Sequence, residues 1–147
     1  MKPSNLLVIG YGNTLRGDDA VGVRVAEAIE ALTIPGVRVI VAHQLTPELA
    51  QPLSETKQAV FVDAALTAET EVSLKPIEPA AGAQIMAHTA NPGALLALAR
   101  ELFGRCPAAW WLTIPIEDVG FSESLSPKAS KGLKEAVERI RSLAGGF

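Results

Sequence analysis

One run constrains this chain more than any other: Leu6-Leu7-Val8-Ile9-Gly10-Tyr11-Gly12-Asn13-Thr14-Leu15-Arg16-Gly17-Asp18-Asp19-Ala20-Val21-Gly22. It reads as a buried strand, a tight glycine turn, an acidic pair and the first turn of a helix. Gly10 and Gly12 permit the sharp turn and leave space above the strand end. Asp18 and Asp19 then fall where a strand's carboxyl end meets a helix amino end, the usual ligand position in open α/β sheets. A dinucleotide loop also begins Gly-x-Gly, but its third glycine would stand at position 15, which is Leu15. Two adjacent carboxylates would repel a pyrophosphate as well. The turn therefore suits a cation or a polar backbone.

The rest of the chain alternates strand and helix patterns, which argues for an α/β layered domain. Residues 5–10 read as a central strand, apolar on both faces. Residues 20–32 read as a helix with Val21, Val25, Ile29 and Leu32 on one stripe. Pro35-Gly36 stops it. Strands are expected over 37–42, over 59–63 (ending on Asp63) and over 109–114. Residues 70–75 alternate like a half-exposed antiparallel edge strand. Thr46-Pro47, Asn91-Pro92 and Ser126-Pro127 each read as a helix start, cap then proline. They open helices to about 53, to 103 and to 144. In the last of these, Leu133, Val137, Ile140 and Ala144 form a stripe, and Lys131/Glu135 and Lys134/Glu138 are spaced for i,i+4 pairs. Residues 76–90 read as a loop. The expectation is a single three-layer domain over 1–147: a mostly parallel twisted sheet of about five strands, helices on both faces, and one antiparallel edge strand.

Composition narrows the function classes. The 147 residues suit one core, and 48% apolar with 20% charged residues is ordinary for a water-soluble domain. No apolar run approaches the ~18 residues of a membrane span. The opening apolar stretch is shorter than the ~7–15 residues of a secretory h-region. The net charge is −3 without a Lys/Arg cluster, against a nucleic-acid partner. A single cysteine, Cys106, excludes an internal disulfide and a Cys-x-x-Cys metal site. The expected compartment is the cytoplasm. Cys106 lies in a helix-exit turn and reads as structural. Of Trp110-Trp111, one ring is expected in the core and one under a helix or at a surface groove.

Three residues can carry chemistry together. Asp18 or Asp19 can cap the helix and complement its dipole, but one cap needs one carboxylate. Asp63 closes a core strand at the same sheet edge. His88 lies among small residues just before a helix, where a loop imidazole can complete a site begun by carboxylates. Two carboxylates and an imidazole suit a divalent ion such as nickel or zinc, with coordination positions left open. No Gly-x-Ser-x-Gly elbow, His-Glu-x-x-His or Walker loop is present.

The run from Gly10 to Gly22 resembles the amino-terminal signature of the hydrogenase maturation endopeptidases. Phe61-Val62-Asp63-Ala64, His88 before an apolar helix, and Ile114-Pro115-Ile116-Glu117 with Leu125-Ser126-Pro127 follow in the family's order. The resemblance spans essentially the whole chain. It implies removal of a carboxyl-terminal extension from a nickel–iron hydrogenase large-subunit precursor after nickel insertion. It further implies that Asp19, Asp63 and His88 are the catalytic and metal-contacting residues, and that Asp18 orients the loop. Many members carry Glu at the first position, so Asp19 is one methylene shorter. The nickel arrives in the precursor, so no cofactor of the enzyme's own is implied; the partner is that precursor, with no nucleic acid and no membrane.

One departure is His43-Gln44-Leu45-Thr46-Pro47-Glu48-Leu49, where many members have an Asp-Gly-Gly-like turn. It looks like the branch serving bidirectional, NAD-linked hydrogenases. Two mechanisms fit the residues. The nickel acts as a Lewis acid or hydroxide source, or it positions the peptide while Asp19 or Asp63 activates water. Two other functions compete. A non-catalytic nickel-checkpoint module would use the same residues. Peptidyl-tRNA hydrolase shares only the opening strand and Gly-x-Gly-Asn turn, and its expected histidine is replaced by Asp18-Asp19.

Overall fold

Leu6, Leu7, Val8 and Ile9 expose no surface to solvent, so the first strand is covered on both faces. The computed structural model describes residues 4–81, 91–117, 120 and 124–145. Its strands are β1 (Ser4–Tyr11), β2 (Val37–Ala42), β3 (Thr56–Leu66), β4 (Ser73–Ile77) and β5 (Ala108–Ile116). Its α-helices are α1 (Val21–Ala31), α2 (Ala50–Ser54), α3 (Pro92–Phe103) and α4 (Pro127–Leu143). The five strands form one sheet in the order β2-β1-β3-β5-β4, parallel except for the β4–β5 pair.

Alternation along each strand divides the core in two. Leu6, Val8, Val60, Val62, Leu112 and Ile114 meet α1 and α4 on one face. Leu7, Ile9, Ala59, Phe61 and Ala109 meet α2 and α3 on the other. The three-layer α/β arrangement expected from the alternating patterns is present. β4 is an edge strand, as its half-exposed pattern indicated.

Several boundaries differ from the sequence expectation, each for a tertiary reason. β4 begins three residues later than residue 70 and runs through Pro76 to Ile77; an edge strand tolerates proline because one side of it has no ladder to serve. β5 likewise continues through Pro115, where its pairing with β4 has already stopped at Thr113. Of the expected α1 stripe, Val21, Val25 and Ile29 are buried, but Leu32 lies past the helix end and is exposed.

The helix starts also differ among themselves. The Asn91 side chain accepts from Gly93 N at 2.7 Å and Ala94 N at 3.3 Å. Ser126 Oγ accepts from Ala129 N at 3.1 Å. Thr46 makes no such bond, and the segment it opens is a 3₁₀ turn, Pro47–Leu49, before the short α2. Gly104, in the left-handed conformation, closes α3. In α4 the deepest residues are Ala129, Gly132, Ala136 and Ile140, while Leu133, Val137 and Ala144 flank them half-buried. This helix sits close on β5: a Cβ at Gly132 would stand 2.5 Å from Ile114 Cγ2. Small residues mark most of its contact line, with Ile140 the large side chain among them. Glu138 pairs with Arg141 at 3.2 Å, and Glu135 accepts from Val72 N at 3.5 Å, in place of the expected lysine partners.

The first turn of α1 rests directly on the sheet. A Cβ on Gly22 would lie 2.4 Å from Val62 O and 2.9 Å from Tyr11 O, and one on Gly10 would lie 2.2 Å from Gly22 O. The space above Gly10 is thus taken by the helix itself. Those obstacles are main-chain atoms of central strands, which cannot move alone. Gly22→Ala should therefore cost about 3 kcal/mol or more, read as a lowered midpoint of urea unfolding. An unchanged midpoint would show that α1 can lift off the strands freely.

Candidate functional site

β1 leads to β2 on one side and the chain then returns to β3 on the other, so the sheet's direction of growth reverses between β1 and β3. Open α/β sheets bind ligands at such a reversal, beyond the carboxyl ends of the strands. The pairing of β1 with β3 ends at Gly10 and Val62. Asp63 is the next residue of β3, which runs on beside β5 to Leu66. Asp63 is therefore not the end of its strand, as the sequence suggested. It stands just past the last β1–β3 pair, level with Tyr11 at the end of β1.

Asp19 reaches the same place from the turn after β1. Gly12 has φ +148°, and a Cβ there would lie 2.1 Å from Asp19 O, so only glycine lets the returning chain close on itself. The loop is then pinned by its own atoms. Asp19 Oδ2 accepts from Asn13 N at 2.8 Å, Asn13 Oδ1 accepts from Leu15 N at 2.9 Å, and Arg16 O accepts from Asp19 N at 3.0 Å. Asp19 and Asp63 are both half-buried, and the Asp19 charge bears on Asp63. The structure thus brings two of the three expected residues to one edge. His88 lies outside the described residues. Among the described residues, no three His, Cys, Asp or Glu side chains form a metal-holding group.

Asp18 is not the helix cap that the sequence allowed; its place agrees with the loop-orienting role that the resemblance implies. It is fully buried. Its Oδ2 accepts from Glu117 N at 3.0 Å and from Ser126 Oγ at 2.6 Å, and its Oδ1 accepts from Ser126 N at 2.6 Å. It does not cap the helix that follows it. It ties the acidic turn to the end of β5 and the start of α4, and Ser126 both donates to it and caps α4. Charge-assisted bonds of this kind are the stronger sort, and they satisfy a carboxylate that burial alone would penalise.

Two aromatic residues that the sequence did not mark as site residues flank Asp63. Tyr11 and Trp111 share its sheet face by alternation, and both pack partly on the α2–α3 core. Desolvation raises the Asp63 pKa above the ordinary carboxylate range, the nearby Tyr11 hydroxyl opposes this, and the Asp19 charge adds to it. Burial, with the charge of the adjacent Asp63, pushes the Tyr11 phenol well above its usual value. The Trp111 N–H stands near enough to both groups to lower the pKa of each. Its geometry toward neither is that of a hydrogen bond, so it is a buried donor without an acceptor. Neither tryptophan is fully buried: the expected core ring is half-buried too. The trio could not be read from sequence because only the strand register sets Tyr11 beside Asp63.

The remaining candidates are simpler. Cys106 is half-buried against the α2–α3 core, and burial pushes its thiol pKa up, as fits a structural residue. His43 and Gln44 are exposed just past β2, beside the acidic turn, since Gly12 N donates to Ala42 O at 3.2 Å. Leu45 anchors that turn in the core.

The chain is an α/β protein with an open, mostly parallel sheet, and its carboxylate pair stands at the reversal point where such sheets usually bind ligands. No family model matches the chain, and no curated protein matches it in sequence. Solved structures do match. The hydrogenase 2 maturation peptidase of a Thaumarchaeota archaeon superposes with a TM-score of 0.73 at 21% identity, over 98% of this chain and 100% of that one. The hydrogenase maturating endopeptidase HybD of E. coli gives 0.72 at 20% identity, over 95% and 91%. The [NiFe] hydrogenase maturation protease HycI of Thermococcus kodakarensis KOD1 gives 0.69 at 23% identity, over 97% and 94%. The chain has the fold of these maturation peptidases over nearly its whole length. Among the described residues, no helix is long and apolar enough to cross a membrane.

Proposed function

We propose that this chain is an endopeptidase that removes the carboxyl-terminal extension of a nickel-loaded hydrogenase large-subunit precursor. The observation that carries the reading is the meeting of Asp19 and Asp63 at the β1–β3 reversal, on a fold shared with maturation peptidases. In this reading Asp19, Asp63 and His88 recognise the nickel carried by the precursor. Two carboxylates and an imidazole suit that ion and leave positions for the precursor's own ligands. The raised pKa of Asp63 makes it a better proton acceptor toward water than an ordinary aspartate, which supports a general-base role beside metal recognition. The protein works in the cytoplasm and needs no resident cofactor.

The test is to incubate the purified protein with nickel-loaded precursor and weigh the products. A mass loss equal to the extension supports the peptidase. Binding without mass loss would assign the protein to a nickel-checkpoint role, and neither would remove hydrogenase maturation altogether.

Two further expectations follow. An open two-carboxylate site, one of whose members resists ionisation, holds free metal weakly. Treatment with EDTA and its removal should therefore leave cleavage of nickel-loaded precursor within about twofold of the untreated rate. Stoichiometric nickel or zinc retained through dialysis would contradict this. The exposed His43-Gln44 turn lies beside the site but outside the carboxylate pair, where loops set selectivity. Gln44→Gly should change the ratio of cleavage between precursors of two hydrogenase types, including a bidirectional NAD-linked one. Equal loss on both would mark the turn as structural.

A further inference from the structure

The Gly-x-Gly-Asn turn ends on a residue that the carboxylate pair does not account for. Asn13 stands six residues before Asp19, and its N–H donates to Asp19 Oδ2 at 2.8 Å. Its side chain turns back on the same loop, where Oδ1 accepts from Leu15 N at 2.9 Å. Its carbonyl accepts from Arg16 N at 3.1 Å, and Arg16 O in turn accepts from Asp19 N at 3.0 Å. The bonds thus close a circuit from residue 13 through 16 to 19 and back. Packing does not set this turn: none of residues 13–16 is buried, and Leu15 is 57% exposed. Hydrogen bonds must then hold the backbone, and a side chain that bonds two residues ahead is the usual means. Asparagine suits the place because its acceptor is short and neutral. An aspartate would set a further negative charge beside Asp19, and an alanine would leave Leu15 N to water.

We propose that Asn13 is a positioning residue for Asp19: it holds one carboxylate oxygen against its own N–H and so fixes the other, Oδ1, as the oxygen that meets the substrate. This rests on the peptidase reading of the acidic site. Among the described residues, Oδ1 of Asp19 takes no hydrogen bond. A carboxylate held at neither oxygen turns freely and offers either one. With Oδ2 engaged, Asp19 offers one oxygen in one direction and contacts the precursor's nickel through that oxygen alone. Fixed placement of a group that meets the reacting atoms carries a large factor in rate, and a displacement of about 1 Å can cost ~10²-fold. Asn13 touches neither substrate nor metal; it acts through Asp19.

The variants are Asn13→Ala, which removes the side-chain acceptor, and Asn13→Ser, which restores a shorter and weaker one. Solvent exchange of the amide at position 13 is followed by NMR of the full chain. It should quicken at least about tenfold in Asn13→Ala, as in Asp19→Ala, with Asn13→Ser between parent and alanine. Affinity for nickel chloride alone is read from paramagnetic broadening of amide signals around the acidic turn. It should weaken about tenfold in Asn13→Ala and recover in part in Asn13→Ser. Cleavage of nickel-loaded precursor should fall about 10–100-fold and recover in the same order. The urea midpoint should move little, because the turn is exposed. Unchanged exchange in Asn13→Ala, or nickel affinity and cleavage both within about twofold of the parent, overturns the positioning role. So do losses that track a lowered urea midpoint and that serine does not restore. Should Asn13→Ala fail to fold, Asn13→Ser decides by its smaller losses in the same three measurements. A parent that does not cleave, with nickel affinity still ordered Asn, Ser, Ala, removes the peptidase and keeps the positioning role. Cleavage indifferent to residue 13 keeps the peptidase and removes the positioning role. A parent that neither cleaves nor binds nickel overturns both.

Discussion

Replacing Asp63 with asparagine is expected to lower cleavage of a nickel-loaded precursor by about 10²–10⁴-fold, the usual loss when a general base is removed. The amide keeps the shape, but it cannot take a proton from water or offer charge to a metal. Stability should move the other way. Burial raises the Asp63 pKa in the folded protein, so folding favours its protonated form. That contribution is present at low pH and is lost as pH rises through the folded value, leaving a penalty at neutrality. The neutral amide carries no such penalty. The variant should melt at or above the parent's temperature at pH 7, and the difference should vanish in acid. The parent's cleavage rate should fall with acidification at a pH above the ordinary carboxylate range. A folded Asp63→Asn protein that cleaves normally would show that this carboxylate is dispensable. A variant that melts well below the parent at pH 7 would mean that the carboxylate stabilises the fold instead.

The second large effect is on folding. Asp18→Ala leaves Glu117 N, Ser126 N and the Ser126 hydroxyl without their buried acceptor. Hydrogen bonds to a charged group are worth about 1.5–3 kcal/mol each, and orphaned donors add desolvation cost. An expected loss of about 3–5 kcal/mol follows, a large part of the ~5–15 kcal/mol that holds a domain of this size. Ser126→Ala removes one bond to Asp18 and the cap of α4, and should cost about 1–2 kcal/mol. The ordering of the two losses in urea unfolding is the check. If Asp18→Ala costs no more than Ser126→Ala, the carboxylate is not the bolt that the geometry describes. Asp19→Ala, whose side chain accepts only one described backbone bond, should be milder than Asp18→Ala.

These two carboxylates are neighbours in the chain and opposites in the fold, and nothing in their types distinguishes them. The sequence marked the pair as more than a cap, and it named Asp19 and Asp63 as members of one site. It could not tell which of Asp18 and Asp19 would turn inward. That depended on Glu117 and Ser126, roughly a hundred residues downstream, arriving beside Asp18. Likewise Asp63 was legible as a carboxylate near the end of a core strand, but not as a residue flanked by Tyr11 and Trp111. Strand order and register decide such neighbours, and both are set by packing between distant segments.

Local chemistry determined the rest. Alternating apolar runs, proline after a cap residue and glycine after a helix act over a few residues, so the element order, the α/β class, the edge strand and the turn after β1 were all present in the sequence. What failed there were features governed by contact. Pro76 and Pro115 lie inside strands because one side of each strand lacks a ladder. Thr46 opens a 3₁₀ turn without capping it. The deep face of α4 is lined mainly by alanine and glycine, with Ile140, because the helix lies close on β5. A sequence records what each residue prefers by itself; which preference prevails at a buried position is decided by the partner that the fold brings to it.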